Sequence, residues 1–137
     1  LGAGKRALDD KPGVLVVEDD LLTVEYLELI LESHYDVRTA ASAAEAMRLL
    51  KRKTADIIIM DISLKGKKNG VELTKELRKS DQFKHIPIVA LTAHAFPSDR
   101  ESCMQAGCNE FIAKPMSRNQ LYDVMNRLLA NPVASDG

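Results

Sequence analysis

The sequence predicts an α/β fold: a doubly wound, five-stranded parallel sheet flanked by five helices. Two observations lead there. Short aliphatic runs recur five times along the chain, and a segment of helical character follows each one. The three most apolar runs lack polar alternation, which is the mark of strands buried on both faces. With 137 residues and 45% apolar content, the chain has enough material for one core without disulfide or metal staples.

The elements follow in order. Val14–Val17 is a β-branched strand, and Leu21 to Ser33 gives a mostly apolar helix. Tyr35 to Ala40 alternates polar and apolar, as a strand wet on one face does. Ser42 and Glu45 form a capping-box pattern, opening a helix striped by Ala43, Ala46, Met47 and Leu50. Ile57–Met60 is a buried strand, and Val71 to Lys79 a third helix. Ile88–Leu91 follows, with Pro87 tolerable only at its start. Pro97 suits the first turn of a fourth helix and Gly107 its end. Phe111–Ala113 is the fifth strand. Ser117 with Gln120 caps the last helix, whose core stripe is Leu121, Val124, Met125 and Leu128.

Five strands alternating with helices require right-handed parallel crossovers. Placing the alternating second strand at an edge and the most apolar strands inside gives the order 2-1-3-4-5, the flavodoxin-like arrangement. Residues 1–11 and 131–137 read as a polar head and tail around a domain at 12–130. The chain begins at Leu1 rather than a methionine, which suggests a piece of something longer.

Open sheets of this kind bind ligands beyond the carboxyl ends of their strands. There the sequence places Glu18, Asp19 and Asp20 after the first strand, Asp61 after the third, Thr92 after the fourth and Lys114-Pro115 after the fifth. Singly, each has an ordinary explanation. Asp20 caps the first helix, Thr92 bonds backbone, and Lys114 is a solvated lysine. Asp61 resists this, because it ends a run of four large apolar residues where an unpaired carboxylate is expensive. Together they describe a chemistry. Adjacent carboxylates repel and call for a cation, and an all-oxygen set suits hard Mg²⁺. A phosphoryl group near that metal would need a hydroxyl and an ammonium, which Thr92 and Lys114 provide.

VLVVEDD, DIIIMD, the LTA of Leu91-Thr92-Ala93 and the KP of Lys114-Pro115, in this order and each at a strand end, resemble the receiver domain of bacterial two-component response regulators. The resemblance spans about Pro12 to Ala130. It implies that Asp61 accepts a phosphoryl group from the phosphohistidine of a sensor histidine kinase or a histidine phosphotransfer protein. It implies Mg²⁺ held by Asp19 directly, by Glu18 directly or through water, by Asp61, and by the backbone carbonyl of Ser63. Thr92 and Lys114 would contact the phosphoryl oxygens, Phe111 would be the switch aromatic, and the Lys114-Pro115 bond would be cis. The chemistry is coherent, since a carboxylate is a competent covalent nucleophile and phosphoryl transfer needs mainly positioning and charge neutralisation.

Two features depart from the family pattern. In DISLKGKKNG, Lys65 stands where a proline is common, and one extra residue precedes Gly70, so the loop is longer and more basic through Lys65, Lys67 and Lys68. Donor recognition and phosphate lifetime are the properties this touches. The second departure is that no output domain is expected after Gly137. TAHAF at Thr92–Phe96, with DRE after it and AGC around Gly107, resembles hybrid histidine kinases and single-domain relays. His94 borders the site, whereas His34 and His85 stand at element ends and Cys103 and Cys108 are packing residues.

Composition narrows the alternatives. Nineteen Lys and Arg against 20 Asp and Glu, a net charge of -1, argue against a nucleic-acid coat. No apolar run approaches the roughly 18 residues of a membrane span, and no signal-peptide pattern opens the chain. Two cysteines without CxxC spacing fit a reducing, cytoplasmic compartment. The expected role is therefore a phosphoacceptor, not an independent enzyme, free-standing or part of a hybrid kinase. A pseudo-receiver acting only as a protein-binding module is the alternative, and the intact acid set counts against it. A flavodoxin-like cofactor binder or a phosphatase would want a Gly/Ser/Thr-rich loop where Glu18-Asp19-Asp20 stands.

Overall fold

A computed structural model describes residues 11–93 and 96–130; all of the expected head at 1–11 except Lys11, the tail over 131–137 and His94 lie outside them. Ten elements alternate: β1 (Gly13–Val17), α1 (Leu21–Leu31), β2 (Asp36–Ala40), α2 (Ala43–Arg52), β3 (Ile57–Asp61), α3 (Gly70–Lys79), β4 (Ile88–Thr92), α4 (Pro97–Ala106), β5 (Glu110–Ala113) and α5 (Arg118–Ala130). All strand pairs are parallel, in the order β2-β1-β3-β4-β5, with the half-wet β2 at an edge as its alternation required.

Because successive strand residues point to opposite faces, the sheet feeds two cores. Leu15, Val17, Ile58, Met60, Ile88 and Ala90 pack with Leu50 of α2, Leu73 and Leu77 of α3 and Cys103 of α4. Val14, Val16, Ile57, Ile59, Val89 and Leu91 pack with Leu27 and Leu31 of α1 and Leu121 and Met125 of α5. Leu128, expected in that stripe, is only half-buried at its edge.

Helix starts are set by side-chain caps, which satisfy orphan backbone donors. Ser42 accepts from the Glu45 N–H, and Ser117 from the Gln120 N–H. Asn69 and Glu72 form a reciprocal capping box at α3 that starts the helix one residue before Val71. The first helix is two residues shorter than expected: His34 and Tyr35 both donate to the Leu31 carbonyl, which turns the chain and buries the Tyr35 ring before β2 begins.

Two tight approaches fix the start of α3 and the end of α4. A Cβ on Gly70 would lie 2.4 Å from the Asp61 carbonyl oxygen, so the start of α3 packs backbone-to-backbone on the end of β3. Gly107 ends α4 at φ 118°, a left-handed conformation suited to glycine. The Arg78 guanidinium lies over it. From α3 it donates to the Gly107 carbonyl at 2.9 Å, the Ile86 carbonyl at 2.8 Å, the Lys84 carbonyl at 3.1 Å and Asn109 Oδ1 at 2.9 Å.

Candidate functional site

The strand register brings the singled-out residues together. Asp61 pairs with Leu91 across β3 and β4, and Thr92 with Ala113 across β4 and β5, so each site residue ends or follows a strand at one edge. The Lys114 N–H donates to the Thr92 carbonyl at 2.7 Å, the Ile62 N–H to the Leu91 carbonyl at 3.0 Å, and the Glu18 N–H to the Ala40 carbonyl at 2.9 Å. Each loop thus leaves the sheet from a fixed point.

Glu18, Asp19 and Asp61 each present a carboxylate oxygen, and these lie within 4.8 Å of one another. Glu18 and Asp61 are buried, at 2% and 5% exposure, and Asp19 is half-buried. The Lys114 ammonium donates to Glu18 Oε1 at 2.8 Å and lies 3.9 Å from Asp61 Oδ1. Asp61 Oδ1 also accepts from the Ser63 N–H at 3.0 Å, Glu18 Oε2 from the Asp20 N–H at 3.1 Å, and Asp19 Oδ2 from the Lys65 N–H at 3.2 Å. Burial pushes the Glu18 carboxyl above its ordinary range, and the Lys114 hydrogen bond pulls in the opposite direction. Three clustered carboxylates against one ammonium leave net negative charge, and every donor is oxygen. That set fits a hard divalent cation such as Mg²⁺.

Asp20 does not join the cluster. It caps α1, accepting from the backbone N–H and the hydroxyl of Thr23, and those bonds hold its carboxyl below its ordinary range. Thr92 is buried at the end of β4, and Phe111 is half-buried in β5 opposite Ala90, packed against the core that contains Cys103. The Lys114-Pro115 peptide bond is cis. His34 bonds Ser33 and Tyr122, remote in sequence from the cluster, and Cys103 and Cys108 are buried packing residues.

One feature carried no sequence signal of its own. Leu22 and Leu29 of α1 are 76% and 69% exposed, and Leu21 is as open. Leu22, Tyr26, Pro115 and Met116 line a small groove of about 210 Å³ beside Lys114. The apolar content of α1 marked a helix, yet only Leu27 and Leu31 are buried. Among the described residues no helix is long and apolar enough to cross a membrane.

The family model described as the response regulator receiver domain matches residues 14–126. The polar-differentiation response regulator DivK of Brucella anthropi is 34% identical over 119 residues, covering 86% of this chain and 96% of that protein. Among solved structures, the receiver domain of a Pseudomonas aeruginosa PAO1 sensor histidine kinase, with a magnesium ion coordinated in its active-site cleft, superimposes with a TM-score of 0.82. It is 35% identical and covers 88% of this chain and 99% of its own. The signal receiver domain of a Syntrophus aciditrophicus histidine kinase gives a TM-score of 0.81 at 29% identity, over 92% of this chain and 96% of that one.

Proposed function

Because this chain belongs to the response regulator receiver domain family of two-component signalling, we propose that its acidic cleft is a working phosphoacceptor centred on Asp61. The single observation carrying this reading is the Glu18–Asp19–Asp61 cluster with Lys114 in ion-pair reach of two of its members. The donor would be the phosphohistidine of a sensor histidine kinase or a histidine phosphotransfer protein. The Asp61 carboxylate attacks phosphorus, an acyl phosphate P–O bond forms, the P–N bond breaks, and the donor imidazole leaves and takes up a proton.

The chain's own groups are arranged for this. The Ser63 N–H and Lys114 orient the Asp61 carboxylate, so its attack geometry is set before the donor arrives. Lys114 exchanges its hold on the carboxylates for the incoming phosphoryl oxygens, and Thr92, one strand across from Lys114, offers its hydroxyl to the same group. Glu18, Asp19 and Asp61 would hold Mg²⁺ together with the Ser63 carbonyl. The bound ion would neutralise charge developing on the transferred group. The exposed leucines of α1, of which Leu22 lines the groove beside Lys114, supply an apolar surface for a protein donor rather than a small phosphodonor alone. Thr92 drawn toward the phosphoryl group vacates space for the Phe111 ring, so Thr92 and Phe111 form the switch. A cytoplasmic site of action and a place in a hybrid kinase or a single-domain relay fit this reading.

Acetyl phosphate with Mg²⁺ tests it. Intact-mass measurement should show one added phosphoryl group on the parent chain and none on Asp61→Asn. Equal labelling of the variant refutes the assignment of Asp61. No labelling of the parent chain by acetyl phosphate or by a phosphorylated histidine donor leaves the chain a binding module.

A further inference from the structure

A groove of about 390 Å³ runs between the first half of α2 and the β3–α3 loop, and the phosphoryl chemistry uses none of it. Ala44 and Met47 line it from α2, Lys65, Lys67 and Lys68 from the loop, and Glu76 from α3. The surface is almost wholly carbon, as alanine, methionine and the aliphatic stems of lysines can supply. Lys68 is paired with Glu76. Among the described residues neither the Lys65 nor the Lys67 ammonium belongs to an ion pair; Lys65 is near enough to Asp20 to help hold that carboxyl down, and Lys67 adds a second positive charge at the mouth of the groove. Gly66, at φ 115°, turns the loop between these two lysines. The extra loop residue and the lysine at 65 are the same departures the sequence showed, and in the structure they build this rim.

An occupant must satisfy both parts. The floor takes an aliphatic side chain, and the rim takes carboxylates. No aromatic side chain lines the groove, so it lacks the stacking platform a nucleic acid strand would use. We propose that this groove is a docking site for an acidic segment of a partner protein, one aliphatic side chain seated over Ala44 and Met47 and flanking carboxylates on Lys65 and Lys67. The site lies outside the phosphoryl-transfer groups and its occupancy is read on the unmodified chain. It touches the cleft at one point: the Lys65 N–H donates to Asp19 Oδ2. A segment that holds the loop therefore also biases the position of one carboxylate of the acidic cluster.

The test is fluorescence anisotropy of the full chain with a labelled nonapeptide of aspartates and glutamates around one central leucine. A twin peptide carries serine in place of the leucine. The leucine peptide should bind saturably, and the twin about tenfold more weakly, from the apolar burial it forgoes. Lys65→Glu combined with Lys67→Glu should abolish binding at low salt, and added salt should weaken binding to the parent chain. Ala44→Asp should weaken it about tenfold while leaving the melting temperature intact or higher, because an acid in the first turn suits the helix dipole. Equal affinity for both peptides, undiminished binding to Ala44→Asp, or no saturation at all overturns the proposal. So does an oligothymidylate that binds parent and Ala44→Asp alike and displaces the peptide, since that marks a general polyanion patch.

Discussion

Replacing Asp19 by asparagine should stabilise the metal-free protein. The carboxylate oxygens of Glu18, Asp19 and Asp61 lie within 4.8 Å of one another. At that separation two unit charges repel by about 0.9 kcal/mol in water-like surroundings and about 3.5 kcal/mol at an effective dielectric of about 20. Lys114 offsets this for Glu18 and Asp61, which it reaches at 2.8 and 3.9 Å. Asp19 is half-buried and faces both acids without an ion pair among the described residues, so its two repulsions lie near the lower figure. Asparagine removes them and keeps an oxygen for the Lys65 N–H. A net gain of about 1–2 kcal/mol follows, or about 3–8 °C in melting temperature for a domain of this size. Thermal melts in EDTA and in saturating Mg²⁺ read both halves of the argument. Mass action by the ion should raise the parent protein and scarcely move the variant, so their order reverses. A variant no more stable than the parent in EDTA refutes the repulsion, and one that keeps the full Mg²⁺ shift refutes Asp19 as a ligand.

Three other outcomes are expected. Gly70→Ala should lose about 1–3 kcal/mol in urea unfolding, because its Cβ would meet the backbone of Asp61 and Ile62 at 2.4 and 2.7 Å; an unchanged midpoint contradicts that contact. Burial pushes the Cys103 thiol up to about 12, so in native protein it should resist iodoacetamide from neutral pH to pH 9 and react readily in urea. The unfolded thiol ionises first, so Cys103 makes stability fall as pH rises between 9 and 12, and fast native alkylation overturns its placement. Beryllofluoride with Mg²⁺ should alter amide exchange through α4 and β5 in the parent protein and much less in Thr92→Ala; equal changes in both sink the proposed Thr92–Phe111 switch.

What the sequence disclosed is what short-range physics controls. The strand order was readable because apolar β1, β3 and β4 cannot tolerate an edge while the alternating β2 can. The acidic cluster was readable because Asp61 interrupts an apolar run at the point where the strand stops. Other features needed the fold. Asp20, directly before the helix, was readable as its cap, and the extended backbone there with the reach to Thr23 makes it one; what needed the fold is that this bond takes Asp20 out of the acidic cluster. The Lys114–Glu18 pair spans 96 residues, and no local pattern announces it. Asn69–Glu72 had capping spacing but stood in a stretch of lysines and glycine that reads as loop. In α1 the apolar count marked a helix and hid the fact that Leu21, Leu22 and Leu29 face water.

If the amino end of α4 moves, the Arg78 clasp makes the helix a lever. Its carboxyl end is pinned, since Cys103 and Ala106 are buried and the Gly107 carbonyl is held by a guanidinium that also grips Ile86 and Asn109. Its amino end has no side-chain cap and begins just beyond the strand end that carries Thr92. A ten-residue helix gives an arm of about 15 Å, so a swing of about 10° about the fulcrum at Gly107 sweeps the tip through roughly 2.5 Å. A displacement of that size is enough to open or close a protein contact. The force that drives it would act at the tip, while the fulcrum and the core behind it stay still.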